Sequence, residues 1–318
     1  RAFARLRGDV NESLKKSQVR LSVAKLIAPQ DGLPLRDEFV ALARRAYGSE
    51  VLPMDFRAAP RQVCGRLNAW VEQHTNGRMK NLLGEDAVSS DTRLIVLNAI
   101  YFKAWWNKKF SVADTVPEPF WTGKGGPVPS PTMRCEEGLR YGESDTVQVL
   151  ELPYVDGAVA MLVVLPRNRD GLGAIEKDLD APRILAWRSM LSAADRYTVE
   201  VHLPRFEMDT DMELCAVLRA LGATDLFSPD KADLSAISPQ KPLFLSAVLH
   251  KAGVIVNEEG TEAWAATGGF IAMGAPPPPP PRKVFRADHP FLFFITEQTH
   301  GSVLFMGRVM RPGKRAGP

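Results

Sequence analysis

Five histidines, at positions 74, 202, 250, 289 and 300, and three cysteines, at 64, 135 and 215, are the side chains best suited to acid–base, nucleophilic or metal chemistry. Their spacing favours none of these. The cysteines are odd in number, far apart and without a CxxC, which argues against a disulfide framework or zinc knuckle and for buried or free thiols. No GxSxG, HExxH or phosphate-binding loop accompanies the histidines, and Gly171-Leu172-Gly173 lacks the third glycine of a dinucleotide fingerprint. The sequence therefore predicts no catalytic residue, no metal and no cofactor, and the chain is not expected to be an enzyme.

Another kind of chemistry is suggested by residues 257–275, which run into six prolines at 276–281. Split with the period of a strand, one face carries Thr261, Ala263, Ala265, Thr267 and Gly269, and the other Glu262, Trp264, Ala266, Gly268 and Phe270. The first face is small throughout, as suits a strand squeezed between two others over a packed core. Yet Gly260, Gly268, Gly269 and Gly274 weaken any free-standing strand. An exposed linker before a polyproline II spacer is the competing reading.

The elements that must position such a segment are those of a mixed globular protein. The chain has 318 residues, 45% of them apolar, enough for a sizeable core, and its 40 basic and 37 acidic residues are too balanced to call for nucleic acid or a membrane surface. No apolar run is long enough to span a membrane, and the opening Arg-Ala-Phe-Ala-Arg-Leu-Arg resembles neither a start nor a signal peptide. Helices are predicted over 1–16, 36–47, 61–73, 172–191 and 212–221, with stops at Gly48, Asn76-Gly77 and Gly222. Strands are predicted over 21–27, 50–56, 92–106, 148–154, 158–166, 197–208, 243–256, 285–296 and 302–309. Val155-Asp156-Gly157 reads as a hairpin turn, and Asn98 in the long apolar run 92–106 needs a buried partner.

Several blocks then occur in a familiar order: Leu97-Asn98-Ala99-Ile100-Tyr101-Phe102-Lys103, Leu150-Glu151-Leu152-Pro153-Tyr154, Leu203-Pro204-Arg205-Phe206 and Leu221-Gly222-Ala223-Thr224-Asp225-Leu226-Phe227. The most specific are Ser246-Ala247-Val248-Leu249-His250-Lys251-Ala252, Val256-Asn257-Glu258-Glu259-Gly260-Thr261-Glu262-Ala263, Asp288-His289-Pro290-Phe291-Leu292-Phe293 and Leu304-Phe305-Met306-Gly307-Arg308-Val309. With these blocks the chain resembles the serpins, serine protease inhibitors that trap proteases by inserting a cleaved loop into a β-sheet, and bacterial-type members in particular. The resemblance implies an α+β fold: three β-sheets surrounded by eight or nine helices, with an exposed reactive-centre loop at about 258–286. Residues 1–318 are then one domain lacking the family's amino-terminal helices.

The resemblance also implies roles. Glu258, Gly260 and Thr261, followed by Ala263, Ala265, Ala266 and Thr267, correspond to the hinge on which the loop turns into the sheet. Trp264 departs from the small residues usual there; by alternation it faces away from the core, so it is expected to be tolerated with slower insertion, whereas in the other register inhibition fails. Arg205 and Trp106, with Glu258, match the breach where insertion begins, and Asn98 and His250 match the shutter beneath the sheet. The family count places the scissile bond after Gly274, before Ala275, whereas side-chain chemistry favours Met273, so both stand. The expected partner is a serine protease of elastase-, subtilisin- or chymotrypsin-like type, attacking a monomeric, secreted, extracellular protein. Lys15, Lys16, Arg20 and Lys25 fall near the family's glycosaminoglycan-binding helix but read as a solvated face. Two alternatives are a serpin-fold carrier whose loop is merely cleaved, and a proline-rich module in which Pro277-x-x-Pro280-x-Arg282 binds an SH3 domain.

Overall fold

The computed structural model describes residues 2–15, 17–75, 77, 79–84, 87–123, 126–192, 197–261 and 282–313. Its contacts group into two compact units, one of Arg1–Asp9, Leu21–Phe102 and Asp209–Val254, the other of Val10–Arg20, Lys103–Met208 and Ile255–Pro318.

A six-stranded sheet is built from β1 (Arg20–Pro29), β2 (Glu50–Val51), β3 (Leu94–Trp105), β9 (Phe206–Glu213), β10 (Ala247–Val256) and β11 (Gly260–Thr261), in the order β2-β1-β3-β10-β9 with β11 on β3. Helix α3 (Pro60–His74) starts with proline at its first turn, where the missing N–H costs nothing. Its buried residues Val63, Cys64, Leu67, Trp70 and Val71 recur at helical spacing and form one stripe. That stripe shares a core with Ala24, Leu26 and Ala28 of β1 and with Ile95, Leu97, Ala99 and Tyr101 of β3. Every second residue of β3 thus faces α3, and Asn98 faces the other way.

The remaining strands follow the order β12-β8-β5-β6-β7-β13-β14, with β4 on β5. They are β4 (Val116–Trp121), β5 (Pro127–Glu143), β6 (Val147–Pro153), β7 (Val159–Pro166), β8 (Tyr197–Pro204), β12 (Arg282–Arg286), β13 (Phe291–Glu297) and β14 (Val303–Val309). The long β5 serves two sheets. Its residues 132–139 pair with β8, and its residues 140–143 pair with β6. With the six-stranded sheet this makes the three sheets expected of the fold. Both β7 and β13 are buried at every position, which accounts for their uninterrupted apolar sequences.

The described residues include six α-helices: α1 (Ala2–Lys15), α2 (Asp37–Leu42), α3, α4 (Leu172–Lys177), α5 (Ala181–Ser192) and α6 (Cys215–Ala220). Three predicted elements are in fact pairs. The helix over 172–191 breaks because Pro182 cannot continue an α-helix, and Asp180 Oδ1 instead accepts from the Arg183 amide at 2.8 Å to begin α5. The strand over 197–208 breaks after Pro204, where the chain leaves one sheet for another, and the strand over 285–296 breaks at a corner ending in Pro290. Sequence reading also makes the strand at 50–56 too long and begins the one at 243–256 too early.

Candidate functional site

Glu258 is the best-buried carboxylate near the expected loop, only 4% exposed, so its charge needs partners. Arg205, the single residue between β8 and β9, supplies them: its Nε donates to Glu258 Oε1 at 2.6 Å, and its Nη2 contacts the same oxygen. Arg205 is fixed in turn by its backbone N–H, which donates to Pro131 O at 2.8 Å. The Thr115 hydroxyl donates to Glu258 Oε1 at 2.5 Å. Burial alone would raise the Glu258 pKa, but the hydrogen bonds from Thr115 and Arg205 outweigh it and hold the carboxyl below its ordinary range.

Trp106 organises the backbone beside this pair. Its indole N–H donates to Asn257 O at 2.9 Å, and its amide to Glu259 O at 2.9 Å. The ring stacks on Tyr154, with centroids 4.5 Å apart and planes 10° from parallel. Phe110 is edge-on to the same ring at 6.2 Å, and its amide donates to Glu258 O at 2.8 Å. Asn257 and Gly260 exchange backbone hydrogen bonds of 2.9 and 3.2 Å, leaving Glu258 and Glu259 at the tip of a tight turn.

Gly260 cannot be another residue in this arrangement. Its φ is +142°, and a Cβ would lie 2.3 Å from Ala104 O, 2.6 Å from Trp105 Cα and 2.8 Å from Trp106 N. The close approach lets Gly260 and Thr261 pair antiparallel with Trp105 and Ala104 as β11.

Asn98 and His250 are opposite one another in β3 and β10. Asn98 Nδ2 lies 2.8 Å from His250 Nδ1 and donates to it, so the proton of the neutral imidazole is on Nε2. Burial lowers the His250 pKa and favours that neutral form. Asn98 Oδ1 is buried and accepts no hydrogen bond among the described residues. The same side chain lines a groove of about 510 Å³ with Val23, Ile27, Phe39, Leu42 and Ile100.

The residues proposed in three clusters thus fall into two contact groups, Arg205–Glu258–Trp106–Gly260 and Asn98–His250. Ala263, Ala265, Ala266 and Thr267, with the cleavage candidates Met273, Gly274 and Ala275, lie outside the described residues. Sequence reading misses Thr115, Phe110 and Tyr154 as partners. Tyr154 sits in one of the family-like blocks, but nothing in the sequence around Thr115 signals a contact with a residue 143 positions away. Lys15 pairs with Glu12 at 2.7 Å, in keeping with a solvated face on α1.

The family model Serpin (serine protease inhibitor) matches residues 1–312. The chain belongs to the serpin family. Serpin B11 of Homo sapiens is 38% identical over 299 residues, covering 93% of this chain and 75% of that protein. Leukocyte elastase inhibitor A of Mus musculus is 38% identical over 283 residues, covering 86% and 73%. The crystal structure of uncleaved ovalbumin superimposes with a TM-score of 0.84 at 31% identity, over 96% of this chain and 82% of ovalbumin. The matched family model describes protease inhibitors rather than catalysts, although ovalbumin-like non-inhibitory members also occur. Two expectations are corrected. These two similar serpins are human and mouse proteins, so the bacterial-type affinity is not supported. They are also intracellular clade B serpins, which points against secretion and overturns the extracellular assignment.

Proposed function

We propose that this serpin inhibits serine proteases as a suicide substrate: cleavage near 273–275 forms an acyl-enzyme, and residues 260–274 then enter the six-stranded sheet between β3 and β10. The supporting observation is the pairing at the centre of that sheet. β3 and β10 run parallel and hydrogen-bond directly from Ile95 opposite Ala247 to Tyr101 opposite Gly253, while β11 already lies antiparallel on the end of β3. A strand entering between them exchanges one parallel ladder for two antiparallel ones, the more stable pairing per residue. Such entry is β-augmentation within a single chain, the strand-addition mode of which serpin loop insertion is an established example.

The register of β11 carries this reading to particular residues. Gly260 opposite Trp105 and Thr261 opposite Ala104, continued along β3, bring Trp264 opposite Tyr101 and Thr267 opposite Asn98. On β10 the matching neighbours are Gly253 and His250. Thr267 then enters between the two shutter side chains, where its hydroxyl can replace the bond they make to each other. Trp264 enters on the α3 side, where the neighbour on β10 has no side chain to displace.

Leukocyte elastase inhibitor A, with its 38% identity, makes elastase-like enzymes the first targets to try, followed by subtilisin- and chymotrypsin-like ones. Mixing the chain with each and running a denaturing gel is the test. A detergent-stable complex with a fragment cut at 273–275 is expected. Complete cleavage without any complex would instead favour the carrier reading, in which Trp264 blocks insertion.

A further inference from the structure

β11 is only two residues long, yet its register decides where each later residue falls if the segment enters the sheet. Gly260 lies opposite Trp105 and Thr261 opposite Ala104, while the Trp106 amide donates to Glu259 O at 2.9 Å. Hydrogen-bonded and non-hydrogen-bonded pairs alternate along an antiparallel ladder. Trp106–Glu259 is of the first kind, so Trp105–Gly260 is of the second, in which the two backbones approach most closely. A Cβ on Gly260 only 2.6 Å from Trp105 Cα agrees with that. The next pair of the close kind sets Glu262 opposite Lys103.

Charge makes this pairing specific. Glu262 is the only charged residue from Gly260 to Pro281, and Lys103 is the only one in β3. Lys103 and Trp105 share one face of β3 and are half-buried, whereas Phe102 and Ala104, on the other face, are each 1% exposed. Trp105 is two residues along from Lys103, within diagonal reach of a side chain opposite it. Its indole Nε1 is buried and has no hydrogen-bond partner among the described residues. A carboxylate arriving opposite Lys103 supplies the acceptor which that donor lacks, together with a counter-charge for the ammonium.

A slip of one residue in either direction has the opposite effect. It sets Glu262 opposite Phe102 or Ala104, on the buried face, where its charge finds no partner. We propose that Lys103 and Trp105 are positioning residues that receive Glu262 and so fix the register of the entering strand at its first step, before Thr267 reaches Asn98 and His250. This role rests on the insertion proposed above, and Glu262 itself lies outside the described residues. A strand that starts in register runs to completion, whereas one that starts out of register must withdraw, which leaves time for the acyl-enzyme to hydrolyse. Lys103 thereby governs the share of cleaved chains that end as trapped complexes.

A charge swap in the full chain tests the pair. The loop is nicked by subtilisin, and the climb of the thermal midpoint with time after the cut reports entry of the strand, whether or not a complex forms. Lys103→Glu and Glu262→Lys should each slow the climb by about fivefold, as expected when a cross-strand attraction becomes a repulsion. The double variant, in which opposite charges face each other again, should return to within about twofold of the unmodified chain. Trp105→Phe, which keeps an aromatic ring but lacks the N–H, should slow the climb by about twofold. Lys103→Glu is judged against the double variant, which carries the same change, so a fall in the intact midpoint affects both alike. Single variants that climb as fast as the unmodified chain overturn the role of Lys103 and leave insertion standing, as do slow single variants that the swap fails to rescue. An unmodified chain whose midpoint never climbs overturns insertion, and this role with it.

Discussion

At the scale of the residue, the most constrained position is Gly260. Neither requirement it meets, the positive φ or the absence of a Cβ against the backbone of Ala104, Trp105 and Trp106, can be relieved by a side-chain movement. Gly260→Ala is expected to expel β11 from β3 and to cost about 1–3 kcal/mol, seen as a lower thermal unfolding midpoint. An unchanged midpoint would mean that the turn relaxes freely. Glu258 is a different case, since its place depends on partners: Arg205 on a strand break and Thr115 on a loop hold a carboxylate whose pKa burial alone would raise. The Gly and the Glu-Arg pair are legible in the sequence because they sit in blocks of family-like text. Thr115 is not, since one hydroxyl in a loop carries no pattern and its role arises only when the chain brings it to Glu258.

At the scale of the element, what sequence reveals best is periodicity and what it hides is interruption. The apolar runs of β3, β7 and β13 and the stripe of α3 follow directly from spacing. The breaks at Pro182, Pro204 and Pro290 escape such a reading because apolar residues continue beyond each one, although a proline lacks the N–H that continuation requires. The joint between β3 and β10 is where elements meet function, and His250 makes it sensitive to acid. Its ordinary value is 6.5, and burial places the folded value lower. As pH drops below 6.5 the unfolded chain takes up the proton first, so folding stability falls through that window and then levels off. Protonation at Nδ1 also removes the acceptor that Asn98 uses. Glu258 adds a second loss below 4.5, where its carboxylate, held low in the fold, protonates first in the unfolded chain. Urea unfolding followed as pH is lowered should show both phases, and His250→Gln should abolish the upper one while sparing the lower. A single phase confined to the carboxylate range would show that the β3–β10 joint does not depend on a neutral imidazole.

At the scale of the whole molecule, the proposed insertion requires the intact fold to store a difference in free energy. On that proposal, the six-stranded sheet and the alternating small residues that follow β11 in the sequence let the protein gain pairing without unfolding. Gly260 and Thr261 already pair as β11; if the rest of 260–274 follows, thirteen residues each add roughly one net backbone hydrogen bond worth about 0.5–1.5 kcal/mol, a total on the order of 10 kcal/mol. On the proposed mechanism, cleavage between 273 and 275 makes that gain accessible by freeing residue 274 from the downstream chain. Limited proteolysis within the loop should therefore raise the thermal midpoint, and at about 2 °C per kcal/mol for a chain of this size the rise should be about 20 °C. Trp264→Ala tests one obstacle to that rise. If the bulk of Trp264 slows entry, the variant should reach the same final midpoint sooner after cleavage; if the indole fits beside Gly253, the two proteins should convert at equal rates. A cleaved protein that melts where the intact one does would remove the driving force from the proposed mechanism, whatever protease had made the cut.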